Sequence, residues 1–162
     1  MANLNSLVKD FLSQQRIAIV GVSDQRDTGC NLAYERFSEA GYKVIPVNPR
    51  INTYEGEACY PDLTSIPENP DAVFILANPR VTDQIVDECV ELGIKYVWMH
   101  CMMGTKPGLA ESMTSVSQTA VEKCRENEIQ VIPGSCPNQF LNPDFGHRMM
   151  KGLWGVLGFM NV

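Results

Sequence analysis

At 162 residues the chain fits one domain, since compact domains usually run to roughly 100–200 residues, and it leaves no room for a second catalytic domain. With 44% hydrophobic against 20% charged residues it carries enough apolar material for one core, which excludes wholesale disorder. Thirteen Lys+Arg against 19 Asp+Glu give a formal charge of −6, the reverse of the basic balance that phosphate-backbone contacts require, so no nucleic-acid partner is expected.

The opening Met-Ala-Asn-Leu-Asn-Ser-Leu lacks the charged and apolar segments of a secretion signal. No window approaches the ~18 apolar residues of a membrane span, and a cytoplasmic protein is expected. Leu4, Leu7, Val8, Phe11 and Leu12 recur at helical spacing behind a possible cap, Asn3. Arg16-Ile17-Ala18-Ile19-Val20 is short, β-branched and cut off by Gly21-Val22-Ser23, which reads as a buried strand. A helix follows from about Asn31, presenting Leu32, Ala33, Phe37 and Ala40 and stopping at Gly41.

Lys43-Val44-Ile45-Pro46-Val47 is the second strand, although Pro46 cannot donate to a ladder and must sit where no donor is needed. Residues 52–70 are turn-rich with little periodicity. Ala72-Val73-Phe74-Ile75-Leu76 is the third strand, Ile85, Val86, Cys89 and Val90 the next helical face, ended by Gly93, and Tyr96-Val97-Trp98-Met99 the fourth strand. Met113, Val116, Ala120, Val121 and Cys124 form another helical face before the fifth strand, Ile129-Gln130-Val131-Ile132. Short apolar strands alternating with helices imply parallel crossovers. The expected fold is α/β and Rossmann-like: a doubly wound, mostly parallel five-stranded sheet with helices on both faces.

In such a sheet ligands occupy the crevice beyond the carboxyl ends of the strands, where helix N-termini point free N–H groups outward. After the first strand, Gly21 permits a tight exit, Ser23 offers a hydroxyl, Arg26 a charge, and Gly29 a close backbone approach to a phosphate. The loop is longer than Gly-x-Gly-x-x-Gly, which weakens a plain NAD reading. After the second strand an NAD site places an acid on the ribose diol, whereas Asn48-Pro49-Arg50 stands here. That exchange suits a ribose carrying an extra phosphate, as in coenzyme A or NADP, with a surface Arg in a Pro turn as the plainer alternative. Asn78-Pro79-Arg80 repeats the triplet, and Asn78 either caps a helix or contacts adenine.

Val20-Gly21-Val22-Ser23, the run Gly41-Tyr42 to Asn48-Pro49-Arg50, Gly56-Glu57 to Ile66-Pro67, and Gly93-Ile94-Lys95-Tyr96-Val97-Trp98 together resemble the small stand-alone CoA-binding proteins. Those are similar in turn to the CoA-binding domain of the succinyl-CoA synthetase alpha subunit. The resemblance implies a Rossmann-type fold binding coenzyme A or an acyl-CoA, without implying a reaction. Its candidate contacts are Gly21, Val22, Ser23, the loop Arg26-Asp27-Thr28-Gly29-Cys30, Asn48, Pro49, Arg50, Asn78 and Pro79. Trp98-Met99-His100 departs from the Trp-x-Gln common in relatives.

The six cysteines, at 30, 59, 89, 101, 124 and 136, contain no Cys-x-x-Cys pair, and free thiols are the default in a reducing compartment. Cys30, Cys101 and Cys136 follow strands or open helices, but their spacing is not that of a zinc site. Cys30 at a helix N-terminus would be an activated thiol able to exchange with a pantetheine thiol. No Gly-x-Ser-x-Gly elbow supports a hydrolase built on Ser23, Asp27, His100 or His147. The glycines in the run from Met102 to Gly108 predict a flexible loop.

The tail joins a basic start, His147-Arg148, to an apolar end. Its glycines weaken it as an isolated helix, so it gains order on its own domain or in a homodimer. The expected division is a CoA-binding domain over 1–137 and a C-terminal extension over 138–162. Against binding alone stand two alternatives: an NADP-dependent or acyl-CoA-transforming enzyme in the same crevice, and an oligomeric interaction protein with a vestigial nucleotide site.

Overall fold

The computed structural model describes residues 3–25, 27–102, 105, 114–141 and 145–157. Arg26, Met113 and most of the loop after Met102 fall outside these, as does the side chain of His147.

Helix α1 (Leu4–Leu12) starts where Asn3 Oδ1 accepts from Ser6 N at 2.9 Å and buries Leu4, Val8 and Phe11. It leads into β1 (Arg16–Val20), α2 (Gly29–Glu39) and β2 (Lys43–Val47). The turn-rich stretch holds a short antiparallel hairpin, β3 (Thr53–Tyr54) and β4 (Glu57–Ala58). Its two-residue turn places both Glu55 and Gly56 at positive φ, 51° and 83°, the geometry that matches strand twist in tight hairpins. Then come β5 (Ala72–Ile75), α3 (Pro79–Leu92), β6 (Tyr96–Met99), α4 (Gln118–Glu126), β7 (Gln130–Pro133) and α5 (Phe145–Val156).

Five strands form one parallel sheet in the order β2-β1-β5-β6-β7. Alternation along each strand feeds two cores. Ala18, Val20, Val73, Ile75, Val97 and Met99 face α3 and α4, while Ile17, Ile19, Ala72, Phe74, Trp98 and Ile132 face α1 and α2. The second face is a chain of rings in which Trp98 meets Phe11 at 5.3 Å and Phe74 at 6.4 Å in edge geometry, and its indole N–H donates to Gly134 O at 2.9 Å.

Pro46 fits because β2 is an edge strand. Its carbonyl accepts from Tyr60 N at 3.0 Å on the outer side, and a residue's N and C=O point the same way in a strand, so no bond to β1 is missing. The fourth helical segment begins later than its apolar spacing predicts. Ser117 Oγ accepts from Ala120 N and caps α4 at Gln118, so Val116 reaches the core from the extended segment before the helix. Among the described residues no helix is long and apolar enough to cross a membrane.

Candidate functional site

From β1 the chain leaves through α2 to β2 on one side, and the next strand, β5, pairs on the other. The carboxyl ends of β1 and β5 therefore flank the point where the winding reverses, and a crevice opens there.

Gly21 makes the exit possible. Leu76 N donates to Val20 O at 2.9 Å, carrying the β5 backbone past the end of β1, and a Cβ on Gly21 would lie 2.1 Å from Leu76 O. Its φ of 112° is also one that L side chains rarely adopt. Beyond it the loop is held by Asn31, a buried residue that sequence reasoning passed over. Asn31 Oδ1 accepts from Ser23 N and Thr28 Oγ1, each at 3.0 Å, and Nδ2 donates to Ser23 O at 2.8 Å. Asn48 ties the neighbouring exit to this one: Nδ2 donates to Val22 O at 2.6 Å and Oδ1 accepts from Arg50 N at 2.8 Å. Only a polar residue at the first buried turn of α2 hinted at Asn31.

A cleft of about 570 Å³ results, lined by Gly21, Val22, Ser23, Thr28, Asn48, Pro49 and Arg50 from the sequence candidates. Val20, Asp24, Gln25, Val47, Ile51, Leu76, Ala77 and Val81 complete it. Asp27 instead faces an adjoining acidic hollow with Asp24, Glu35 and Glu55. Gly29, Cys30, Asn78 and Pro79 are not among the lining residues, although Gly29 opens α2 directly after Thr28, which is. Asn78 is the cap of α3, its Oδ1 accepting from Arg80 N at 3.0 Å.

The two helices at the cleft differ in what they offer an anion. In α3, Pro79 has no N–H, Arg80 N is taken by the cap, and the amides of Val81 and Thr82 donate to Asn78 O. In α2, Thr28 Oγ1 accepts from Asn31 N and Thr28 O from Leu32 N. The amides of Gly29 and Cys30 are left without an acceptor among the described residues, at the positive end of the helix dipole. Backbone N–H groups at that end are the usual means of holding phosphate.

The thiol of Cys30 is not activated. It is fully buried, points at Val20 O 3.5 Å away, and burial pushes its pKa up, the opposite of the expectation from its place on the helix. All six cysteines are buried, and among the described residues no group of three or more His, Cys, Asp and Glu is placed to hold a metal ion. His100, at the end of β6, packs edge-on to Phe74 at 6.1 Å, and burial lowers its pKa to about 4, so the ring is neutral at pH 7.

The CoA binding domain family matches residues 15–139. Among curated proteins, the uncharacterized protein YneT of Bacillus subtilis (strain 168) is 29% identical over 92 residues, 56% of this chain and 68% of that one. The Acetate--CoA ligase [ADP-forming] II subunit alpha of Pyrococcus furiosus is 32% identical over 91 residues, 54% of this chain but only 19% of the ligase subunit. Among solved structures, a hypothetical protein from Pyrococcus horikoshii OT3 superposes with a TM-score of 0.73 at 23% identity, covering 87% of this chain and 93% of its own. The apo acetyl-coenzyme A synthetase 1 of Ca. Korarchaeum cryptofilum shares the fold at a TM-score of 0.59 and 21% identity, over 72% of this chain and 25% of the synthetase.

Proposed function

This chain belongs to the CoA binding domain family, and we propose that it binds coenzyme A, free or acylated, in the cleft at the carboxyl ends of β1, β2 and β5, without a reaction of its own. The observation that carries this reading is the asymmetry of the two helix N-termini, since α2 alone has spare amides at the cleft to receive a phosphate. Arg50, exposed at the end of β2, stands where a dinucleotide site would place an acid, and it suits the 3′-phosphate of the ribose. Ile51, Leu76 and Val81 supply apolar wall for the adenine. Asp24, Asp27, Glu35 and Glu55 repel phosphate from the adjoining hollow and keep an anionic ligand on the Arg50 side. Asp24 and Arg50 are the charged groups on the described lining.

The test is calorimetric titration of ligand-stripped protein with CoA, dephospho-CoA and NADP, repeated with Arg50→Ala. The reading expects CoA to bind best and to weaken about tenfold or more on loss of either the 3′-phosphate or Arg50. A preference for NADP would turn the cleft over to a redox enzyme. A second reading, a homodimer formed through the C-terminal extension, is favoured by α5, where Met149, Leu153 and Val156 lie at helical spacing, 63%, 50% and 87% exposed. Deleting residues 145–162 would then slow sedimentation to that of a monomer. An unchanged species removes the dimer, whereas tail-dependent assembly without nucleotide binding would favour an interaction protein.

A further inference from the structure

The segment after β7, Gly134-Ser135-Cys136-Pro137-Asn138-Gln139, is anchored by backbone hydrogen bonds and ring contacts. Gly134 N donates to Met99 O at 2.9 Å, Cys101 N to Ser135 O at 3.3 Å, and Gln139 N to Cys136 O at 3.1 Å, while Trp98 Nε1 donates to Gly134 O. Phe140 closes it, 5.9 Å from the Trp98 ring and 3.9 Å beneath Lys151 Nζ.

None of this uses the segment's polar side chains, yet they are buried. Ser135 and Gln139 are 0% exposed and Asn138 4%. Among the described residues, Ser135 Oγ, Asn138 Oδ1 and both amide atoms of Gln139 have no hydrogen-bond partner. Native interiors rarely leave one such group unpaired, and each costs on the order of 1–3 kcal/mol, so three in five residues mark a place where something is received. Ser135 adds to this, because it holds φ at 71°, where glycine would be at ease.

We propose that Ser135, Asn138 and Gln139 form a subsite for a secondary amide in the extended arm of the ligand. Resting on the reading of the cleft as a CoA site, this amide belongs to pantetheine. A carboxamide with both its N–H₂ and its C=O unpaired matches a secondary amide, which returns one acceptor and one donor. A thioester carbonyl returns only an acceptor and would leave Gln139 Oε1 unpaired. The short helical turn Pro137–Gln139 packs against α2, the helix that follows the cleft residue Thr28. From β1 to β7 is three strand spacings, roughly 14 Å, a span that an extended pantetheine arm bridges.

The test compares CoA, acetyl-CoA and 3′-phospho-ADP, which has the adenosine and both phosphate positions but no pantetheine, on wild type, Gln139→Leu and Ser135→Gly. Wild type is expected to bind CoA and acetyl-CoA about equally, and each about tenfold or more tighter than 3′-phospho-ADP. Gln139→Leu loses that advantage and leaves 3′-phospho-ADP binding unchanged. Without ligand, both variants melt at or above the wild-type temperature, since each removes an unpaired buried group. A merely structural role would instead lower the melting temperature. Undiminished CoA binding by Gln139→Leu overturns the subsite, as does equal loss of CoA and 3′-phospho-ADP. Acetyl-CoA bound much more tightly than CoA, with CoA no better than 3′-phospho-ADP, also overturns it by assigning the groups to the thioester. Equal wild-type affinity for CoA and 3′-phospho-ADP removes the subsite alone, whereas binding of neither removes the CoA reading with it.

Discussion

Replacing Asn31 by leucine tests whether the first loop is held by one side chain. The substitution keeps the size and suits a helix, but it deletes the acceptor for Ser23 N and Thr28 Oγ1 and the donor to Ser23 O, bonds of 2.8–3.0 Å. At a net ~1 kcal/mol each the loss is about 3 kcal/mol. Leucine's better helix propensity returns about 0.5 kcal/mol, and water reaches part of the half-exposed loop, which leaves about 2 kcal/mol. With a urea slope of about 2 kcal/mol/M for a domain of this size, the unfolding midpoint should fall by about 1 M. CoA affinity should fall about tenfold or more, because the ligand must then order the loop as it binds. Asn31→Asp keeps the two accepted bonds and turns the third into a clash of oxygens, so it should lie between leucine and wild type. A midpoint for Asn31→Leu within about 0.2 M of wild type, with CoA affinity unchanged, would refute the claim that this residue organises the loop.

Gly21→Ala puts a Cβ 2.1 Å from Leu76 O at a φ of 112°, an overlap with backbone that cannot rotate away. It should cost about 3 kcal/mol or more in urea unfolding; a loss below about 1 kcal/mol would mean that β1 and β5 part easily at the cleft. His100 has a folded pKa of about 4 against 6.5 for the free side chain, so the unfolded chain takes up the proton first as pH falls. Its contribution is therefore unchanged above pH 6.5 and is lost between pH 6.5 and about 4, by at most the roughly 3 kcal/mol that such a shift represents. His100→Gln should flatten the fall in urea midpoint between pH 7 and pH 5, and an unaltered pH profile would remove the histidine from the acid sensitivity.

The sheet was legible because each of its strands is a short, mostly apolar run rich in β-branched or aromatic residues, and burial on both faces leaves no polar alternation to confuse with a helix. Pro46 looked like an obstacle only because strand order cannot be read locally; at the edge its missing donor costs nothing. The hairpin at residues 53–58 left no periodic trace, since two-residue strands are too short to show one and Glu55 is an unusual choice for positive φ. In the site, position was legible and role was not. Gly21, Ser23, Asn48 and Arg50 do line one cleft, but the sequence could not show that Asn48 is occupied by Val22 O, or that Asn31 and Leu76 build the loop from eight and 55 positions away along the chain.

That division bears on how the cleft recognises a ligand. Asn31, Asn48, Asn78 and Thr28 spend their side chains on the protein's own backbone, fixing three strand exits and two helix starts. What they leave for a ligand is backbone N–H at the head of α2 beside the cleft and, on its lining, Ser23, Asp24, Gln25, the guanidinium of Arg50 and apolar wall. Alanine replacement leaves every backbone amide in place, so single alanine replacements among the four should act through loop order, lowering stability and affinity together. Arg50→Ala should lower affinity while leaving stability within about 0.5 kcal/mol, because its side chain is exposed. A variant of Asn48 that lost CoA at undiminished stability would show that its side chain, and not only the loop it holds, meets the ligand.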